Sequence, residues 1–365
     1  MGLAILLIGT RKGLMLARSS DGRRTWATDD FQFLNQEIYA VAIDARHDPP
    51  RIFAGVGTGH WGPLLTYSDD LGKTWTEPET PPIGFPEGSD ASVERVWQIQ
   101  PATALEPDVV YAGVEPHALF KSVDRGESFA LVEGLWNHPD RPEWTPGGGG
   151  ACLHTVLVHP TDPDDLLVVM SAAGVYRSQD GGASWARANR GIQSAFLPED
   201  QRFPEFGQCV HKVAFHPDRP DRLFAQNHFG VYRSEDRGGS WEAIETGLPS
   251  NFGFALVAHP HRPDTLYNFP LEADAERFPP QARLRVYRTE NAGTSWEALT
   301  DGLPKDPYYA SVLRDARVAD SGDPTGIYFG TRLGEVYASR DDGDTWALIA
   351  NHLPDVLSLR VAEIA

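Results

Sequence analysis

Ser178-x-Asp180-x-Gly182-x-Ser184-Trp185 is one copy of an eight-residue phrase that recurs along the chain and decides its fold. Clean copies follow as Ser68 to Trp75, Ser122 to Phe129, Ser234 to Trp241 and Ser339 to Trp346. Two more are degenerate. Ser19, Asp21, Thr25 and Trp26 keep their spacing while the glycine stands at Gly22, and Thr289, Asn291, Gly293, Ser295 and Trp296 substitute isosteric caps. The seven copies (19–26, 68–75, 122–129, 178–185, 234–241, 289–296 and 339–346) succeed one another every 49 to 56 residues, which is the length of a four-stranded propeller blade. The residue types have a physical logic. Asp and Ser oxygens bond the N–H groups of a tight turn, glycine takes a positive φ, and the aromatic ring drops into the core.

Around each box the same strand order repeats. Gly174 to Ser178, Gly230 to Ser234, Arg285 to Thr289 and Glu335 to Ser339 precede their boxes. Segments such as Arg51–Gly55 and Val109–Gly113 lie upstream, and innermost strands such as Ile38–Ile43 and Val210–Phe215 lie further upstream. The chain starts at a second strand, Ala4 to Ile8, and Val356 to Val361 has no blade left to join. Pairing these two completes the first blade and removes an open sheet edge. The expectation is an all-β, seven-bladed β-propeller spanning 1–365 as a single domain, with four-stranded blades and the C-terminal strand joined to the N-terminal blade.

Composition narrows the uses. With 51 acidic against 32 Lys and Arg, the formal net charge is −19, and no basic stripe exists that would release counterions from a phosphate backbone. Nucleic acid and membrane are not expected partners. The apolar start, Leu3 to Ile8, has no basic flank and reads as a strand, not a signal segment. Only Cys152 and Cys209 are present, so no disulfide framework points to secretion and a cytoplasmic protein is expected.

The boxes resemble those of the Asp-box or BNR-repeat propellers, which include sialidases, xyloglucanases and sortilin-type receptors. Gly9 to Gly13, Trp136 to Pro139, Gly147 to His154 and Gln226 to Gly230 are similar to segments of bacterial proteins related to the plant photosystem II stability and assembly factor, often labelled sialidase-like or glycosyl hydrolase. The resemblance implies the fold over the full length and leaves the activity open.

Strand order assigns the loops to two faces. The boxes join third to fourth strands and share a face with the turns His159-Pro, His216-Pro and His259-Pro, whose repetition marks those histidines as structural. The opposite face carries the long, unlike segments 133–150, 193–208 and 271–283, and there a site is expected. Candidate catalytic residues on that face are Glu94, Glu115, His154, His211 and Tyr309, and candidate substrate-binding residues are Arg11, Glu37, Trp61, Arg95, Lys212, Asn227 and Arg332. Cys152-x-His154 and Cys209-x-His211 occupy equivalent places. They read either as part of a divalent-metal site with His60, His117 and His228, or as packed cysteines with histidines bonded to loop carbonyls. No cofactor is required by the sequence, and a divalent metal is the one candidate. The glycine runs 57–59 and 147–150 lack the Lys-bearing strand-to-helix setting of a phosphate loop and read as flexible approach loops.

A sialidase needs an arginine cluster and a tyrosine activated by glutamate, which Arg11, Arg95, Arg332 and Tyr308 or Tyr309 could supply. Sialidase propellers have six blades, however, and here the tyrosines precede the last arginine, so true sialidase activity is not expected. The leading expectation is a sialidase-like or glycosyl-hydrolase-like propeller that binds or hydrolyses a carbohydrate or other small polar ligand, with a carboxylate pair drawn from Glu37, Glu94 and Glu115. The alternatives are a protein-binding assembly factor and an enzyme with a His-rich metal centre.

Overall fold

The computed structural model describes residues 2–59 and 62–364. Seven antiparallel sheets account for the chain as the blades of a β-propeller. It falls into two compact units. The first unit holds blade 1 (Val356–Ile364, Leu3–Thr10, Gly13–Ser19, Ala27–Thr28), blade 5 (Val210–His216, Arg219–Asn227, Gly230–Ser234, Glu242–Ala243), blade 6 (Phe252–Ala258, Leu266–Leu271, Val286–Thr289, Glu297–Leu299) and blade 7 (Arg317–Ala319, Ile327–Gly330, Val336–Ser339, Ala347–Ala350), with the unit boundary next to His211. The second holds blade 2 (Glu37–Asp44, Arg51–Thr58, Gly62–Ser68), blade 3 (Arg95–Pro101, Val110–Glu115, Ala118–Ser122, Ala130–Leu131) and blade 4 (Leu153–Val158, Leu166–Met170, Gly174–Ser178, Ala186–Arg187). In blade 2 the fourth strand is reduced to a single backbone bond, Thr76 N to Tyr67 O at 2.8 Å.

The expected clasp forms: Leu3–Thr10 pairs with the C-terminal strand from Leu3↔Ile364 to Thr10↔Val356. The last strand of the chain therefore serves as the first strand of blade 1, and its Leu357 and Leu359 are buried.

The boxes work as staples. In the second copy Gly72 N donates to Ser68 Oγ at 2.8 Å, Ser68 Oγ donates to Asp70 Oδ1 at 2.8 Å, and Thr74 gives its N–H to Oδ1 and its hydroxyl to Oδ2 at 2.8 and 2.6 Å. The degenerate copies keep this circuit. In the first, Arg23 N takes the glycine's place on Ser19 Oγ, and in the sixth Asn291 Nδ2 donates to Ser295 Oγ, reversing the bond that a carboxylate would accept. Two successive residues take positive φ in every box, as in Leu71 (62°) and Gly72 (86°). That is why glycine sits at the first of the pair in copy one (Gly22, 75°) and at the second elsewhere. Trp185, Trp241 and Trp346 are buried. A ring that hides roughly 150–250 Å² gives on the order of 4–6 kcal/mol of gross burial energy.

The three His-Pro turns are structural as expected. Nδ1 of His159, His216 and His259 accepts the backbone N–H two residues on, at 3.3, 3.1 and 3.0 Å. His138-Pro139 repeats the device with Asp140 N at 3.1 Å.

Candidate functional site

The first strands of blades 2, 3, 4 and 6 carry a β-bulge near their start. The register slips between Ile38 and Ala40, between Val96 and Gln98, between Leu153 and Thr155, and between Gly253 and Leu256. A bulge re-aims the extra side chain, and here the extra residues are Tyr39, Trp97 and His154 in the three blades of the second unit.

Tyr39 and Trp97 are half-buried and pack with ring centroids 4.7 Å apart. Arg95 lies over both rings, at 4.5 and 5.3 Å. Its Nη1 donates to Glu115 Oε2 at 2.8 Å, and its Nη2 is 3.7 Å from Glu37 Oε2. Trp97 Nε1 donates to the same Glu115 oxygen at 2.9 Å, and Ala151 N donates to Glu115 Oε1 at 3.2 Å. Glu115 is 8% exposed and holds its neighbours in place. Glu94, whose N–H bonds Glu115 O at 2.8 Å, is exposed. The sequence reading thus named Glu37, Glu94, Arg95 and Glu115, and the structure brings them together. It missed Tyr39 and Trp97.

Gly147–Gly150 forms a tight turn, with Gly150 N bonded to Gly147 O at 3.0 Å. A Cβ on Gly150, whose φ is +105°, would meet Glu115 Oε1 at 2.1 Å.

Three of the histidines expected as ligands or bases bond backbone carbonyls. His154, fully buried, has Nε2 3.1 Å from Val210 O and Nδ1 3.1 Å from Thr155 Oγ1. At the equivalent place in blade 5, His211 Nδ1 is 2.6 Å from Gly253 O. His117 Nε2 is 2.8 Å from Ser171 O, and Cys152 Sγ meets Ser171 Oγ at 3.0 Å. A carbonyl only accepts, so the nitrogen facing it carries the proton and the other ring nitrogen is the one left to accept or ligate; Cys209, His211 and His228 each bring one ligand atom to within 4.8 Å of the others. Burial pulls His117 down to about 4 and His211 to about 3, which keeps both neutral near pH 7. Of the expected metal ligands, His211 and His228 come together, with centroids 5.4 Å apart, inside a nest of Phe196, Phe229, Phe252 and Phe254. Asp274 Oδ2 is 3.7 Å from His228 Nε2.

The remaining candidates disperse. Arg11 and Arg332 converge on Asp355, at 3.7 and 2.8 Å, so both cations already face a carboxylate of their own. Arg95 belongs to Glu115, and the arginine cluster of a sialidase is not assembled among these residues. Tyr309 is 65% exposed and packs edge-on against Phe278. The tyrosine paired with a carboxylate is Tyr308, which donates to Glu335 Oε2 at 2.5 Å and is buried. Burial pushes its phenol up, the wrong direction for a nucleophile. Asn227 is buried and donates to Gln193 O at 2.8 Å, anchoring the long 190–204 segment. Lys212 is buried against Asp315 at 2.9 Å. His60 and Trp61 lie outside the described residues.

A cleft of about 470 Å³ opens beside the long connections of the second unit, lined by Glu87, Asp90, Glu133, Trp136 and Arg141. Arg141 lies over the Trp136 ring at 3.3 Å.

Comparisons with known proteins agree with the fold. The model of the BNR-Asp box repeat matches residues 231–244. The chain is 24% identical over 317 residues to a xyloglucanase of Hypocrea jecorina, covering 78% of this chain and 35% of that protein. It is 23% identical over 194 residues to a probable oligoxyloglucan-reducing end-specific xyloglucanase of Neosartorya fischeri, covering 52% and 20%. It therefore spans about a third or less of the curated relatives it matches. Among solved structures, the GH74 enzyme of Niastella koreensis superposes with a TM-score of 0.58 at 16% identity, covering 86% of this chain and 45% of that one. YCF48 bound to D1 peptide superposes with 0.51 at 12% identity, covering 100% and 97%.

Proposed function

We propose, taking the chain as an Asp-box propeller of glycosyl-hydrolase-like fold, that it binds a carbohydrate at the Tyr39–Arg95–Trp97 cluster. The observation that carries this reading is the half-exposed pair of bulge aromatics, clamped by Arg95 and Glu115 and flanked by Glu37 and Glu94. Aromatic rings give sugar C–H faces an apolar platform, while arginine and carboxylates order the hydroxyls. Glu115 is a positioning residue, because both its oxygens already accept hydrogen bonds. If bond cleavage accompanies binding, Glu37 and Glu94 are the carboxylates to supply it. Similarity to xyloglucanases makes xyloglucan oligosaccharides the first ligands to try.

The test is titration calorimetry with these oligosaccharides on the full chain, with Trp97→Ala and Tyr39→Ala beside it, followed by product analysis after incubation. Binding weakened tenfold or more in either variant supports the reading. No heat with the unaltered protein across a glycan panel overturns it.

A second reading, a surface for a polypeptide, is favoured by one specific observation. Phe196 and Phe203, in the long segment before blade 5, are 66% and 63% exposed. Exposed aromatics of that kind suit a protein partner, and Phe196→Ser with Phe203→Ser would abolish capture of such a partner while leaving glycan binding intact.

A further inference from the structure

Three first strands of the first unit contribute charge to one buried place. Lys212 of blade 5 donates to Asp315 Oδ1 at 2.9 Å, and Arg360, on the last strand, reaches the same oxygen at 3.2 Å. Arg317, two residues beyond Asp315 at the start of blade 7's first strand, is 9% exposed. Its Nε and Nη2 are buried and meet no acceptor among the described residues. Lys212 and Arg360 thus share one carboxylate, whose charge Arg317 feels although its Nε and Nη2 do not reach it. The two unmet donors lie on one edge of the guanidinium, the edge that gives two parallel N–H bonds to a pair of coplanar oxygens.

A buried charged donor without an acceptor is costly, and where other arginines, such as Arg23 and Arg288, leave one buried nitrogen unmet, Arg317 leaves two. We propose that Arg317, with Lys212 and Arg360 beside it, binds a small oxyanion, a carboxylate or a phosphate, through the Nε–Nη2 edge. Burial lowers Lys212 to about 7 despite its carboxylate partner, and the neighbouring charges of Arg317 and Arg360 add to the fall. Arg360 keeps 22% of its side chain exposed and marks the side from which a small anion enters. This site is independent of the carbohydrate reading, since none of its residues belongs to the Tyr39–Arg95–Trp97 cluster.

The test uses the full chain and two probes, inorganic phosphate and acetate, each against chloride at matched ionic strength. Thermal melting and titration calorimetry are the readouts. Phosphate or acetate should raise the melting temperature where chloride does not, and whichever probe binds tighter identifies the class. Arg317→Met should melt no lower than the unaltered protein without anion, because it removes a buried unmet charge, and should lose the anion-dependent rise. Arg317→Lys keeps the charge without the two-pronged edge and should bind at least tenfold more weakly, so the proposal stays testable if the methionine variant fails to fold. Arg340→Gln, on the exposed box of blade 7, should behave as the unaltered protein. An anion effect absent from the unaltered chain, or undiminished in both Arg317 variants, overturns the proposal.

Discussion

Arg95 Nη1 lies 2.8 Å from Glu115 Oε2, an oxygen that also accepts the indole N–H of Trp97. One carboxylate therefore fixes the two groups that form the proposed sugar platform, and its neutral replacement separates positioning from charge. Glu115→Gln keeps the shape but cannot accept from both donors with the same strength. Stability should fall by about 1–3 kcal/mol in urea unfolding, and glycan affinity should fall at least tenfold although Glu115 itself faces no ligand.

Gly150→Ala attacks the same carboxylate from the backbone side. The residue has φ +105°, and the added methyl would collide with Glu115 Oε1. The strain and the displaced carboxylate together should cost about 2–4 kcal/mol, read as a lower urea midpoint with an unchanged m-value. Gly148→Ala, where a Cβ meets nothing within 4 Å, should be near neutral.

The Asp boxes invite a graded test. Asp70 takes two backbone and two hydroxyl contacts, and Asn291 does most of that work without a charge. Asp70→Asn should therefore lower the melting temperature less than Asp70→Ala. The hydroxyl and N–H of Thr74 and Ser184 hold the carboxyls of Asp70 and Asp180 well below their usual range, Asp180 at about 2. Carboxylates lowered in the fold stabilise it above the unfolded value near 4 and cease to do so as pH falls toward 2. Melting curves between pH 5 and 2 should show this loss, reduced in the Asn variant.

These boxes were legible because they are local: one turn, eight residues, seven times over. Blade number, strand order and the clasp of Leu3–Thr10 with Val356–Ile364 all follow from them. Glu37, Glu94 and Arg95 were legible as polar residues at the starts of first strands, and Glu115 as one at the loop that follows a second strand. Tyr39 and Trp97 were not, because a β-bulge leaves no mark in an alternating pattern and decides which face its extra residue takes. Arg317 escaped for another reason: a buried cation without an acceptor is a property of packing, and its sequence, Asp315-Ala-Arg317, reads as an ordinary exposed pair. The histidines were legible as two alternatives, metal ligands or packing with loop carbonyls, and both find support: His154 and His211 bond carbonyls, and His211 also stands with Cys209 and His228, their ligand atoms within 4.8 Å of one another. His154 and His211 recur in equivalent places and each bonds a carbonyl of the next blade's first strand, Val210 or Gly253, as a scaffold residue does.

That scaffold role has a pH signature distinct from the boxes. His117 and His211 are held neutral by burial, at about 4 and about 3, below the ordinary value of 6.5. The unfolded chain takes up their protons as pH drops below 6.5 while the folded chain does not, so stability is complete above that value and falls with acidification toward 4. Each pKa unit corresponds to about 1.4 kcal/mol, and the slope between pH 6 and 5 should approach two protons from these two groups. Replacing both with asparagine lowers stability at pH 7.5, because the buried carbonyls of Ser171 and Gly253 lose well-placed donors, but it should flatten the dependence between pH 6.5 and 4. Urea unfolding at half-unit intervals measures both effects. An unchanged slope in the double variant would mean that other groups, and not these two imidazoles, set the acid sensitivity of the fold.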